Sequence, residues 1–396
     1  MELKEKFLSM IEFSLGCTEP SAIAYNTSFV GKYLPDATTL KIEIDKMTFK
    51  NAFAVGIPNS NGLHGTKNAA IFGFLIANPD LKLEIFKGLN NEIREKFNSC
   101  HLKVDIKISD KKYLYIHTTA KNKKGDAVEV ITKKTHTGIT ALKKNSEYII
   151  KKENEKIEEI EFEKKLYKPK EWLKIVDELY SIEGVRKKVK KAIDTNIKAA
   201  EFAKRYTKDE NSLVFGAVYA RMGGDNIEVA SCAGSGNKGL TAIIPAVNFA
   251  KQINADNEQT TKAVILSCLI TSLITAKFGF VSSTCGTIHA AGVGVLGAVL
   301  YLQNRFDRFF DAFKIYAEGS YGVFCDGAKK GCAAKAILAQ TEAFNAINFA
   351  LSNIKIEPTD GFLGESFEDT LSNFAQYDAY FKLFDRETID ILQKKF

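Results

Sequence analysis

At 396 residues, with 45% hydrophobic and 26% charged side chains, the chain has the composition of an ordinary soluble globular protein large enough for two or three folding units. The formal net charge of +7 would suit a nucleic-acid partner. However, much of the Lys and Arg lies in 151–208, interleaved with Glu and Asp, which reads as solvated helix faces rather than as a phosphate track, and no nucleic-acid partner is expected.

The N-terminus, MELKEKFLSMIEFSLG, is charged and amphipathic and lacks the apolar core and small-residue cleavage site of a secretory signal. Residues 1–35 read as helical, broken at Gly16–Pro20. From about residue 39 the period changes to two, and Thr39–Asp45, His101–Ile108, Tyr113–Ala120 and Asp126–Thr132 alternate as half-buried strands. NKKGD between the last two is a hairpin turn, with Gly125 available for positive φ. With helical stretches at 65–78 and 89–99, residues 36–150 make a small mixed α/β domain.

Residues 151–170 are charge-rich and read as a linker. Beyond it the strand signal vanishes, and helical patterns follow at about 171–206, 239–254, 258–278, 287–303, 307–319 and 332–352. The longest charge-free apolar run, Ala263–Ala276, is shorter than the about 20 residues that span a bilayer and is expected to be a buried core helix. The expected fold class is α+β: the small domain plus a larger all-α catalytic domain over 171–396, with 1–35 packing on the latter. A cytoplasmic protein with no membrane partner is expected. Its seven cysteines then point to thiol or metal chemistry rather than to a disulfide framework.

Five segments depart from what packing alone asks for: GCTEPSA (16–22), PNSNGLHGTKNAA (58–70), SCAGSGNKGLTAIIP (231–245), SSTCGTIHAAGVG (282–294) and CDGAKKGC (325–332). Cys325 and Cys332 enclose a Gly-containing loop, and Cys285 stands at the mouth of an apolar helix. Irregular, Gly-rich backbone with N–H groups free to bond sulfur is the setting of an iron–sulfur cluster. Three cysteines rather than four would leave one iron open as a Lewis acid. Ordinary buried cysteines are the alternative, and Cys268, amid an apolar helix, reads as one. SCAGSGNKG lacks the full P-loop pattern. It reads either as a nest of N–H groups (Ser235, Gly236, Asn237) for a small carboxylate or as a Gly-rich helix cap. Of the histidines, His64 in its Gly/Asn loop is the foremost candidate base, beside His117, His136 and His289.

Taken together and in this order, GCTEPSAIA, AVGIP, CAGSGNKGLTAIIP, the Ser-Ser-x-Cys-Gly segment and CDGAKKGCAAK resemble the L-cysteine desulfidase family, which is related to the iron–sulfur L-serine dehydratases. The resemblance spans essentially the whole chain and departs from the family's pattern at PNSNGLHGTKNAA. It implies a 4Fe–4S enzyme without pyridoxal phosphate that splits L-cysteine into sulfide, ammonia and pyruvate. Carried over by motif, Cys285, Cys325 and Cys332 are cluster ligands and Cys17 is the proton acceptor. Ser235, Gly236, Asn237, Ser282, Ser283 and His64 are substrate-binding candidates. Cys17 precedes a helix begun by Thr18 and Pro20, so the helix N-terminus is expected to lower its pKa, with Glu19 opposing. The alternatives are an L-serine dehydratase with the same cluster, a non-catalytic iron–sulfur sensor and a zinc-stabilised module. The partner expected is a small amino acid; the sequence does not fix the oligomeric state, and a homo-oligomer is compatible with it.

Overall fold

The computed structural model describes residues 2–152 and 162–395. A short helix, α1 (Leu3–Ser9), leads to a three-residue strand, β1 (Phe13–Leu15), and then to α2 (Thr18–Tyr33). Phe7, Met10 and Ile11 are buried in the core of the helical unit, whereas Ala22, Ile23, Val30 and Leu34 belong to a second core under the sheet. The chain from Leu3 to Phe13 therefore packs on the helical unit. α2 is a helix of the sheet unit.

That sheet has six strands, β2 (Thr39–Asp45), β3 (Lys103–Ser109), β4 (Tyr115–Lys121), β5 (Ala127–Lys133), β6 (Ile139–Lys144) and β7 (Glu147–Lys151), in the spatial order β3-β2-β4-β5-β6-β7. β2 and β3 are parallel and the other neighbours antiparallel. A parallel pair needs a crossover, here supplied by α3 (Lys46–Ala52), α4 (Thr66–Ile76) and α5 (Asn91–Asn98). The alternation in TLKIEID sends Leu40, Ile42 and Ile44 into the core and exposes Lys41. Gly125 has φ 92° in the expected turn.

Residues 153–161 of the expected linker lie outside the described residues. From Phe162 onward the chain is packed: the Tyr167 hydroxyl donates to the Leu273 carbonyl at 3.2 Å, and Trp172 Nε1 to the Leu166 carbonyl at 2.6 Å. The helical unit comprises α6 (Pro169–Ser181), α7 (Glu183–Ala203), α8 (Leu213–Gly223), α9 (Gly236–Gln252), α10 (Asn257–Phe278), α11 (Val293–Leu302), α12 (Phe309–Ser320), α13 (Cys332–Leu351) and α14 (Phe367–Gln393). It is not purely helical, because β8 (Glu228–Ala230) pairs antiparallel with β1. α10 is long and apolar enough to cross a membrane by length and composition, but Val264, Leu266, Leu269 and Ile270 are wholly buried by neighbouring helices. α14 ends against the other unit, with Ile389 in the core under the sheet.

Candidate functional site

Three of the five cysteines of the C-terminal half, Cys285, Cys325 and Cys332, come together on two loops. Cys285 follows the SST segment and opens a π-helical turn, Thr287–Gly292, that runs into α11. Such turns interrupt helices most often at functional sites. Its N–H donates to the Val323 carbonyl at 2.8 Å, and the Cys325 N–H donates to the Ser283 carbonyl at 2.6 Å. These two bonds pair the loops as a short antiparallel bridge between Thr284 and Phe324. Gly327, at φ 95°, turns the second loop back so that Cys332 begins α13, with its Sγ 3.6 Å from the Gly327 carbonyl. Burial and then the neighbouring Cys325 thiol push Cys285 up to about 11, although Lys335 opposes them. Burial likewise raises Cys332.

Thiols that hold one another protonated are relieved when a cation takes their protons' place. Among the described residues no three His, Cys, Asp or Glu side chains are gathered as ligands of a single metal ion. Three thiols on irregular, Gly-containing backbone, near enough to raise one another's pKa, are a donor set that an iron–sulfur cluster would accept.

Charged side chains surround these loops. Lys335 donates to the Phe324 carbonyl at 2.8 Å and to Asp326 at 2.6 Å; Lys329 also pairs with Asp326. Lys238, 4% exposed, donates to Thr275 Oγ1 at 3.0 Å, and burial lowers it to about 8. A side chain on Gly286 would lie against it, 3.4 Å from its Cδ. His289 is buried and stacked on Phe278 at 4.2 Å, and burial lowers it to about 3, so its ring is neutral. The single Thr284 hydroxyl proton goes to Asp378 (2.6 Å). Thr284 Oγ1 therefore accepts from His289 Nδ1–H (3.0 Å), and His289 Nε2 carries no proton.

A second polar cluster surrounds Cys17, which caps α2. Its thiol donates to Glu19 Oε2 at 3.3 Å; Thr18 (3.0 Å) and Asn51 (2.9 Å) also donate to that carboxylate. Burial alone would raise Glu19, but His136 and these hydrogen bonds outweigh it and hold the carboxyl below its ordinary value. The expected lowering of Cys17 is overturned. Burial first and the Glu19 carboxylate second raise the thiol far above its usual range, against a smaller opposing pull from Arg221. Arg221, 2% exposed, donates to the Gly16 carbonyl at 2.8 Å and to Asn237 Oδ1 at 2.9 Å; its Nε is buried without a partner.

The two clusters are neighbours. Lys50 touches the thiol loops, donating to the Cys325 carbonyl at 3.2 Å, while the next residue, Asn51, holds Glu19. Asn237 is tied through Arg221 to Gly16, while the next residue, Lys238, lies beside Gly286.

The side chains expected to bind substrate are engaged in the loops themselves. Ser235 accepts from the Lys238 N–H, Asn237 is bonded to Arg221, Ser282 donates to the Thr284 carbonyl and Ser283 to Asp385. His64 is exposed, with its carbonyl accepting from Asn68. His117 is paired with Glu129 on the sheet at 2.7 Å, and His136 with the Tyr113 hydroxyl at 3.0 Å. Cys268 lies in the core, its carbonyl accepting from the Cys232 thiol. SCAGSGNKG follows β8 and runs into the first turn of α9, a strand–loop–helix setting that three residues of strand left unread. Arg221, Lys50, Asp378 and Asp385 carried no motif that could have marked them. Glu19 and Lys238 lay inside the singled-out motifs.

The chain matches the family model described as serine dehydratase alpha chain over residues 66–379. Relatives along nearly the whole length include a UPF0597 protein of Nautilia profundicola, 31% identical over 99% of this chain and 98% of that one. Another, from Thermosipho africanus, is 31% identical over 99% of this chain and 100% of its own. A third, from Clostridium tetani, is 31% identical over 92% of this chain and 91% of its own.

Proposed function

The chain belongs to the serine dehydratase alpha-chain family, and from that premise we propose that it is an iron–sulfur lyase acting on L-cysteine. The overall reaction consumes one water and yields hydrogen sulfide, ammonia and pyruvate. Membership supports the lyase chemistry and the iron–sulfur cofactor. The 4Fe–4S type and the preference for cysteine rest on the motifs GCTEP, CAGSGNKG, SSTCG and CDGAKKGC.

Cys285, Cys325 and Cys332 would hold the cluster, with Lys335 and Lys238 as nearby positive charge. When bound, a cluster with three protein ligands supplies a Lewis-acidic iron that favours departure of the substrate's sulfur. The chain's own residues do the remainder. The N-terminus of α9 at Gly236 and Asn237, backed by Arg221, suits the α-carboxylate. Cys17 would take the α-proton. Its burial beside Glu19 makes the thiolate scarce but, once formed, a strong base. The aminoacrylate that leaves tautomerises and hydrolyses without further help.

One observation supports this reading above the others. Two pairs of consecutive residues, Lys50–Asn51 and Asn237–Lys238, each join the thiol loops to the surroundings of Cys17, so that a small substrate could meet both. L-serine is the second reading, favoured by the family's description. Comparing kcat/KM for the two amino acids decides between them. A larger value for L-cysteine is expected, and a larger value for L-serine would make the protein a dehydratase.

A further inference from the structure

The C-terminal helix carries two aspartates that the proposed elimination does not use. Asp378 and Asp385 are 2% and 6% exposed and lie seven residues apart, two turns along one face of α14. Asp378 accepts from the Thr284 N–H and hydroxyl, both at 2.6 Å, and from the Ser283 N–H at 3.3 Å. Asp385 accepts from the Ser283 hydroxyl at 3.0 Å and from the Lys50 ammonium at 2.7 Å. Lys50 is itself buried and also donates to the Cys325 carbonyl. With the Cys325 N–H on the Ser283 carbonyl, the contacts close a ring through both cysteine loops, α14 and α3.

Burying two carboxylates and an ammonium is costly unless nearly every donor and acceptor is matched, and a smaller apolar set would serve packing alone. Apolar packing holds the two ends of α14, through Phe367 and Leu371 at one and Ile389 at the other, but between them the buried residues are Asp378 and Asp385, while Tyr380, Leu383 and Phe384 are 64%, 77% and 63% exposed. Phe324, between the two bridging bonds, is also 63% exposed, so the Cys325 loop has little apolar anchorage of its own.

We infer that α14 is a clasp: Asp378 and Asp385, with Lys50, are positioning residues that fix the Cys285 and Cys325 loops at the separation a cluster requires. The inference rests on the three-cysteine reading above. Groups that orient metal ligands typically change metal retention by about 10- to 100-fold when removed.

The test is the rate at which ferrous iron passes to a chelator under anaerobic conditions, measured on reconstituted full-length protein alongside far-UV circular dichroism and thermal melting. D378N is expected to fold as the wild type does, D385N, which leaves Lys50 buried without its counter-ion, to melt lower, and both to lose iron roughly tenfold faster or more. K50M/D385L removes the ion pair as a pair, so that Lys50 is not left unpaired, and leaves Asp378 on its own Ser283 and Thr284 donors; it should show the same acceleration. D390N, on the exposed side of α14, should release iron at the wild-type rate. Folded D378N and D385N that retain iron like the wild type would overturn the clasp. So would wild-type retention in K50M/D385L if the single variants fail to fold. A wild-type protein that takes up no iron–sulfur cluster would instead overturn the cofactor reading on which the clasp depends.

Discussion

Cys17 shows how an environment can reverse a local rule. A thiol at a helix N-terminus is ordinarily acidified, but here burial and a carboxylate 3.3 Å away win. Because the folded-state thiol is raised, its thiolate fraction keeps growing with pH beyond the ordinary thiol range. Exchange of the L-cysteine α-proton in D2O should therefore climb steadily from neutral into alkaline pH. Glu19→Gln, which removes the negative charge, should move that climb to lower pH; a flat profile for the wild type would argue against Cys17 as the base. Cys17→Ser should keep its iron and lose exchange, since a hydroxyl is far less acidic. Wild-type exchange in that variant would mean that Cys17 only packs. For the ligands, serine at Cys285, Cys325 or Cys332 should sharply lower iron content. Cys268→Ser, in the core of α10, should not. Full iron occupancy in all three ligand variants would refute the assignment.

At the scale of elements, β2 to β5 were legible because their alternation survives in sequence, to within two residues at either end. β6 and β7 were not, since they lie toward the sheet's edge, where β7 buries little and so shows no alternation. β8 is too short to show a period. α14 was hidden for a different reason: its middle inverts the amphipathic rule, with Asp378 and Asp385 facing in and Leu383 and Phe384 facing out. The cysteine loops were visible because thiols and glycines are rare in combination, whereas the charges that hold them come from distant helices and carry no local mark. Packing between elements is also open to test. α2 and α4 touch backbone to backbone, and a Cβ on Gly73 would meet the Ala24 carbonyl oxygen at 2.1 Å. Neither helix can yield, so Gly73→Ala should destabilise the fold by about 3 kcal/mol, read as a lower melting temperature. An unchanged melt would show that the contact relaxes.

Across the whole molecule, the candidate site lies where the two units meet. α2 and α3 of the sheet unit bring Cys17, Glu19, Lys50 and Asn51; the helical unit brings the three thiols, Arg221 and Lys238. In the proposed cluster, an iron without a protein ligand at such a junction would be reachable by substrate, and equally by oxygen and chelators. The most direct measurement is sulfide and pyruvate release from L-cysteine by the anaerobically purified protein, before and after its iron is stripped by air and chelator and then restored with iron and a thiol reductant. The expected result is a brown protein that forms the two products one to one, stops when stripped and recovers on restoration. Undiminished sulfide release after stripping, or a brown protein that releases none, would contradict it.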